Sequence, residues 1–288
     1  MCRILGSVGR YSELRQYYSE LIKGLVGSSE YDPHAVRAFG AGRHSHRDGW
    51  GRATIFVSSG RKALYMYKSL SPIFVDKPNQ PLPEPELLKY CDPITVDLIH
   101  ARAGSRGMPL NYFSVQPFET QTRSGSRLIL MHNGSVDKDR LAKDLSHRLS
   151  DEVIEKYSDT YLLTLRLADL IGNDVSISAI RELSKYTKTA LNLGIAVISE
   201  DLVIAVFGSS YRKQLPSEHR TYYKMYSARV SGGSIIFTSS TLVDFNEYRP
   251  KSLSKWDELP NGTYYFIKIK IKPEEETQVL VEKHSIYS

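Results

Sequence analysis

Cysteine is scarce in this chain of 288 residues: only Cys2 and Cys91 occur, and the first stands directly behind Met1 in "MCRILG". Loss of Met1 would leave a thiol and a free α-amine on one residue. The thiolate is the nucleophilic form, and a free thiol with a pKa near about 8.5 is mostly protonated at neutral pH. The α-amine of a terminal residue, with a pKa of about 7.7–8.0, is partly neutral there and can accept the thiol proton. One residue then carries both nucleophile and base, as a threonine does when paired with an N-terminal amine. The competing reading is a small apolar residue at the start of a buried strand, the commoner fate of a cysteine so placed.

Four further stretches could do chemistry. "HRDGWG" (46–51) is a glycine-flanked Asp-Gly turn holding a tryptophan, and "HARAGSRG" (100–107) ends a predicted strand with Arg102. "HNGS" (132–135) ends another strand with Asn133-Gly134, and "YSDT" (157–160) opens a helix with Asp159. Each has an ordinary explanation: Asn-Gly and Asp-Gly are common hairpin turns, and an aspartate in a first helical turn favours the helix dipole. A separate reading takes His44, His46, His100 and His132, with Asp48, as metal ligands, since His-x-His is a recurring ligand spacing. Histidines without a metal are commoner, so no metal and no cofactor is expected.

The elements that must position these residues alternate in kind. "CRILGSV" (2–8) reads as a strand, and Leu14, Tyr17, Tyr18, Leu21, Ile22 and Leu25 recur at helical spacing, with Gly27 as a stop. Residues 28–50 read as loop. "ATIFVSS" and "KALYMYKS" form a hairpin around Ser59-Gly60, and "PITVDLIHARAG" and "RLILMHNGSV" are strands. Helices follow in "KDRLAKDLSHRL", in "DTYLLTLRLADLIG" behind a Ser158 cap, and in "ISAIRELSKYT". Strands return in "ALNLGIAVIS", "LVIAVFG", "TYYKMYSAR", "GSIIFTSS" and "TYYFIKIKIK". Strands, then helices, then strands imply an α+β fold of antiparallel sheets with helices layered on them, in a single domain over 1–288. The loops at 28–48 and 106–123 are candidates for a lid.

Hydrophobic content of 41% with 24% charge is that of a soluble globular protein. Two distant cysteines cannot form a disulfide scaffold and suit a reducing cytosol, so a cytoplasmic location is expected. There is neither a secretory signal nor an apolar run approaching roughly 18 residues, so no membrane association is expected. A net charge of +6 and a pI near 9.1 raise the question of nucleic acid. The basic residues are interspersed with acids, as in "KDRLAKD", without a cluster or zinc-finger spacing, so no nucleic-acid partner is expected.

Taken together, "MCRILG", "DGWG", "HARAGSRG", "QPF", "MHNG" and "SDT", in this order, resemble the class II glutamine amidotransferases of the N-terminal-nucleophile hydrolase superfamily, of the short stand-alone type. The likeness is close from Met1 to about Leu170. It implies a four-layer αββα sandwich of two antiparallel sheets. It also implies that Cys2 attacks the side-chain amide of glutamine, forms a γ-glutamyl thioester and releases ammonia, and that water then hydrolyses the thioester. Asn133 and the Gly134 amide would form the oxyanion hole, Arg102 would hold the substrate α-carboxylate, Asp159 its α-ammonium, and Ser105 would line the pocket. The implied partner is a synthase that accepts the ammonia. A γ-glutamyl amide or peptide is the alternative substrate for the same site, and a metal-dependent hydrolase is a more distant reading. The sequence departs from the family pattern in Gln116, where histidine usually precedes Pro-Phe, and in Arg106.

Overall fold

The computed structural model describes residues 2–58, 60–104, 107–108, 110–146, 149–271 and 277–287. Its strands are β1 (Cys2–Arg10), β2 (Trp50–Ser58), β3 (Arg61–Ser69), β4 (Ile94–Arg102), β5 (Phe118–Gln121), β6 (Arg127–Val136) and β7 (Thr187–Ile198). They continue with β8 (Leu202–Ser209), β9 (Met225–Arg229), β10 (Ile235–Ser239), β11 (Asp257–Glu258), β12 (Thr263–Lys270) and β13 (Gln278–Ser285). One sheet has seven strands in the order β11-β9-β10-β1-β4-β2-β3, and the other has six in the order β13-β12-β8-β7-β6-β5. Neighbouring strands within both sheets run antiparallel.

Why the sheets stack is visible in the strands themselves. β2 and β4 are buried along their whole length, so both of their faces must be covered. On one face Ile4, Val96 and Leu98 meet Ile129, Met131, Ala205 and Phe207 of the second sheet. On the other, Leu5, Ile99 and Ile236 lie under Leu14, Leu21 and Leu25 of helix α1 (Tyr11–Glu30). The second sheet repeats the pattern through strand alternation: Leu128 and Leu130, the neighbours of Ile129, turn outward against Leu162, Leu163 and Ile180. Those residues belong to helices that follow α2 (Pro33–Phe39), α3 (Lys138–Asp144) and α4 (Asp151–Lys156), namely α5 (Asp159–Leu170) and α6 (Ile177–Ser184). The result is the αββα sandwich. The sheets approach closely at Gly6, where a Cβ would stand 2.1 Å from the Phe207 ring, so only glycine lets them close there. No helix among the described residues is long and apolar enough to cross a membrane.

The loop expected over 28–50 is confined to 40–49, where a short helical turn (Ala41–Arg43) and irregular chain lead into β2. α1 runs on past Gly27 to Glu30, and α2 follows at once, capped by Asp32, whose carboxylate accepts from the Ala35 amide at 3.0 Å. The same carboxylate accepts from Arg3 Nε at 2.5 Å, His46 Nε2 at 2.7 Å and Thr241 Oγ1 at 2.7 Å. Thr241 lies in α8 (Ser240–Asp244), and the Arg3 guanidinium sits 3.9 Å above the ring of Tyr222 in α7 (Ser217–Tyr223). Arg3, Asp32 and His46 are at most 1% exposed. Asp32 and His46, two of the polar residues that suggested a loop, instead form a buried charge cluster with Arg3, which ties both ends of this segment to the body of the fold. In the second suspected lid, Arg106 and Pro109 lie outside the described residues, and from Tyr112 onward the chain is a short helical turn followed by β5. "TYYKMYSAR" splits into α7 and β9, and β13 and α4 went unpredicted.

Asp32→Ala should destabilise the protein by about 3–5 kcal/mol, because it strands a buried guanidinium. Burial raises the Asp32 carboxyl, but Arg3 and His46 outweigh this and hold it well below the usual carboxylate range. With a depressed folded value, the stabilisation is complete above the ordinary carboxylate pKa of about 3.9 and is lost as pH falls below it. Urea unfolding of the two proteins at neutral pH measures the difference, and equal midpoints would dismiss the cluster as a stabilising element.

Candidate active site

The register of β1 against β4 places Cys2 directly opposite Arg102 and Ile4 opposite His100. Paired residues on antiparallel strands share a face, so Cys2, Arg102 and His100 all point into the space between the sheets. From the second sheet β6 brings Asn133 to the same place, since it lies on the face of Ile129 and Met131. Contact between the sheets here is direct: the Cys2 backbone nitrogen donates to Asn133 Oδ1 at 3.1 Å. The other half of that amide, Asn133 Nδ2, is buried without a partner among the described residues.

Next to Asn133 the strand is bent by a bulge between Gly134 and Val136, and the Ser135 amide donates instead to Thr189 Oγ1 at 2.9 Å. Gly134 has φ of 152°, and a Cβ on it would come within 2.0 Å of the Ala190 carbonyl oxygen. Asp159 reaches the same point from the first turn of α5. Its Oδ2 accepts from the Val136 amide at 3.2 Å and its Oδ1 from the Thr160 amide at 2.8 Å. Ser158 does cap this helix, accepting from the Tyr161 amide at 3.4 Å.

Asp48, which the sequence offered only as a metal ligand, and Gln116, noted there only as a departure from the family pattern, hold the frame. Asp48 Oδ2 accepts from the Gly104 amide at 2.7 Å, its carbonyl accepts from Arg102 at 3.3 Å, and its amide donates to the Arg102 carbonyl at 3.0 Å. "HRDGWG" is thus the brace of the arginine loop. Gln116 Oε1 accepts from the His132 amide at 2.6 Å, while its Nε2 donates to Thr160 Oγ1 at 3.3 Å. His132 stands 3.2 Å from that hydroxyl through Nδ1 and 3.0 Å from the Ala190 carbonyl through Nε2. A carbonyl only accepts, so the Nε2 proton points at Ala190 and Nδ1 accepts from Thr160. Burial lowers the pKa of His132 despite the pull of Asp159, which suits this neutral form.

Cys2, Arg102, Gly134, Asp159, Gln116 and Thr160 all line one cavity of about 220 Å³. That is smaller than the roughly 300–1,000 Å³ of pockets for drug-sized ligands. Ser105 and Arg106 lie outside the described residues. The Cys2 thiol is buried, which alone would raise its pKa, but the amino-terminal charge, which Met1 carries here, and His100 turn it well below the ordinary thiol value. The four histidines of the metal reading go different ways: His44 to the Ala41 carbonyl, His46 to Asp32, His132 to Thr160 and Ala190, and His100 to the Cys2 side. Among the described residues, no three His, Cys, Asp or Glu side chains gather as a metal site.

No protein-family model matches the chain, and no curated protein matches it in sequence. Solved structures do match. The allosteric regulatory enzyme of purine biosynthesis superposes with a TM-score of 0.55 over 99% of this chain at 16% identity. Glutamine phosphoribosylpyrophosphate amidotransferase from B. subtilis, bound to ADP and GMP, gives 0.54 over 99% at 17% identity. The chain shares the class II glutamine amidotransferase fold. It spans about half of each of those two chains, 49% in both cases.

Gly134→Ala should lower stability by about 1–3 kcal/mol for the backbone conformation alone, with the approach to Ala190 adding to it. A urea midpoint equal to that of the parent protein would show that β6 and β7 do not meet this tightly.

Proposed function

We propose that the protein is a glutamine amidohydrolase whose nucleophile is Cys2 once Met1 has been removed. The observation that carries this reading is the direct bond between the Cys2 nitrogen and Asn133, beside a cavity that Cys2, Arg102 and Asp159 line. A free α-amino acid has one anionic and one cationic end, which Arg102 and Asp159 match. A guanidinium fork suits a planar carboxylate, and an orientation fixed at both ends brings the side-chain amide to the sulfur. The Asn133 Nδ2 group, left without a partner, and the Gly134 amide are the donors for the oxyanion. The oxygen develops charge only in the tetrahedral intermediate, so donors already in place stabilise that state selectively.

The reaction begins when the thiol gives its proton to the neutral α-amine and the sulfur bonds to the γ-carbonyl carbon, the carbonyl electron pair moving onto the oxygen that Asn133 and Gly134 face. The carbon–nitrogen bond then breaks, the departing nitrogen takes a proton from the α-ammonium group of Cys2, and ammonia leaves. The neutral amine next accepts a proton from water, whose oxygen displaces the sulfur to give glutamate. The released ammonia passes to a synthase acting as acceptor. A γ-glutamyl amide or peptide would follow the same course with a larger leaving amine.

Mass spectrometry of the active protein should find Cys2 at its amino terminus. Ammonia release from glutamine should vanish in Cys2→Ala and fall about 100- to 1,000-fold in Asn133→Ala. Arg102→Ala should chiefly raise KM. Retained Met1 in active protein, or full turnover without Asn133, would sink the assignment. Cleavage of γ-glutamyl dipeptides with glutamine left untouched would transfer it to the alternative substrate.

A further inference from the structure

A second cavity, of about 300 Å³, shares no lining residue with the one beside Cys2. It lies where the start of β7, the turn after β8 and the residues just past β13 come together, and Thr187, Tyr211, Arg212, Lys213, Ile286 and Tyr287 supply most of its wall. Pockets that take drug-sized ligands begin at roughly 300 Å³, so there is room here for more than a bare ion. The wall is braced. Asn261 accepts from the Tyr211 amide at 2.7 Å and donates to the Tyr211 carbonyl at 2.9 Å, and the Tyr287 ring lies so close over Gly262 that a Cβ would meet it at 2.3 Å.

The charge of this cavity is one-sided. Arg212 and Lys213 line it, no aspartate or glutamate does, and neither cation is ion-paired among the described residues. The guanidinium is held in place all the same. Its Nε donates to the Thr187 carbonyl at 2.7 Å, and the Arg212 amide donates to the Thr189 carbonyl at 2.9 Å. With Nε committed, the two terminal nitrogens remain as a fork of donors. Lys213 follows in a turn closed by the Leu215 amide on the Arg212 carbonyl at 3.2 Å, and its ammonium stands 5.7 Å from the centre of the Tyr287 ring. Thr187, which carries the guanidinium on its carbonyl, is only 6% exposed, and its hydroxyl has no hydrogen-bond partner among the described residues. A buried polar group left in that state costs about 1–3 kcal/mol.

We propose that this cavity binds a phosphate-type oxyanion, free or carried on a small organic molecule, with Arg212 and Lys213 on its oxygens. Two uncompensated positive charges match a phosphoryl group, which carries about −1.5 to −2 at neutral pH, better than they match the single charge of a carboxylate. A guanidinium fork takes two phosphoryl oxygens at once, and a lysine binds a third as a point charge. Ile286 and the Tyr287 ring border the space left over, where an organic group would lie. Cys2, Arg102 and Asp159 lie outside this cavity, so its ligand is not the substrate, and the site does not rest on the amidohydrolase reading. It is joined to the catalytic strands nonetheless: Thr189, whose carbonyl holds the Arg212 amide, accepts the Ser135 amide on its hydroxyl at the bulge of β6.

The test is an NMR titration of the nitrogen-labelled full-length protein at low salt and neutral pH, with inorganic phosphate in one series and phenyl phosphate in another. Saturable shifts are expected at the Arg212 side chain and at the amides of Lys213 and Tyr287. Tighter binding of phenyl phosphate would mark the ligand as an organic phosphate, and equal binding of the two would mark it as phosphate alone. Arg212→Gln should weaken binding about ten-fold or more, the worth of a hydrogen bond to a charged group, and Lys213→Gln should weaken it as well. Arg15→Gln, which removes an exposed cation paired with Glu84 elsewhere, should leave it unchanged. Arg212 and Lys213 are exposed, so both variants should fold as the parent does, and equal urea midpoints check this. Shifts that grow without saturating, or an equal loss in all three variants, would reveal attraction to the whole basic surface and overturn the site. Benzoate binding as tightly as phenyl phosphate would overturn the phosphate assignment. A protein that binds phenyl phosphate here and releases no ammonia from glutamine would discard the proposed function and keep this site, whereas turnover without saturable binding would discard only the site.

Discussion

Everything at the cavity depends on two antiparallel sheets meeting at one end through a direct backbone-to-side-chain bond, from the Cys2 nitrogen to Asn133 Oδ1. Along most of the interface the sheets are joined by aliphatic and aromatic packing, which is strong but non-directional. Such packing fixes how far apart the sheets lie and leaves their relative slide less well defined. At the open end the apolar side chains give way to Cys2, His100, Arg102 and Asn133, and hydrogen bonds set the geometry there. The apolar interior supplies rigidity, and its polar rim supplies direction.

The rim is itself built in two tiers. Arg102, Gly134 and Asp159 line the cavity together with Gln116, Thr160 and His132, which are bonded to one another, while Asp48 and Asn133 brace it from behind, Asp48 on the Gly104 amide and Asn133 on the Cys2 nitrogen. The Gln116–Thr160–His132 chain is uncharged throughout, so it joins β6 to α5 without placing another charge near the thiol. Glutamine at a position where the family pattern has histidine still supplies a donor and an acceptor, and its two bonds use both. The departure therefore preserves a brace.

Much of this was legible in the sequence because strand ends carry a double signal. "IHAR" and "MHNG" each show an apolar run halting at polar residues that a turn alone does not need, and Ser158 before Asp159 announces its helix through capping chemistry. The element types followed from periodicity for the same reason, since both periods report which face is buried. What failed was the segment from 28 to 39, which is helical where a loop was expected. Asp32 within it and His46 beyond it look solvated, and their partners, Arg3 and Thr241, lie far away in the chain. Periodicity registers burial of apolar groups and is blind to burial of charges that neutralise each other. The bracing roles of Asp48 and Gln116 escaped for a related reason: the carboxylate of the first and the amide oxygen of the second bond to backbone amides, which leave no mark on residue type.

Strand alternation gives β1 two incompatible neighbours in succession. Cys2 looks toward the second sheet, and Arg3 looks the opposite way, into Asp32. Shifting this strand by one position would exchange them, driving a guanidinium into the aliphatic layer and presenting sulfur to a carboxylate. Neither error could be relieved by a rotamer change, so an insertion or deletion of a single residue within this first strand is disallowed. The ion pair therefore serves as a ratchet for alignment, and the position of the sulfur is guarded by the chemistry of the residue that follows it.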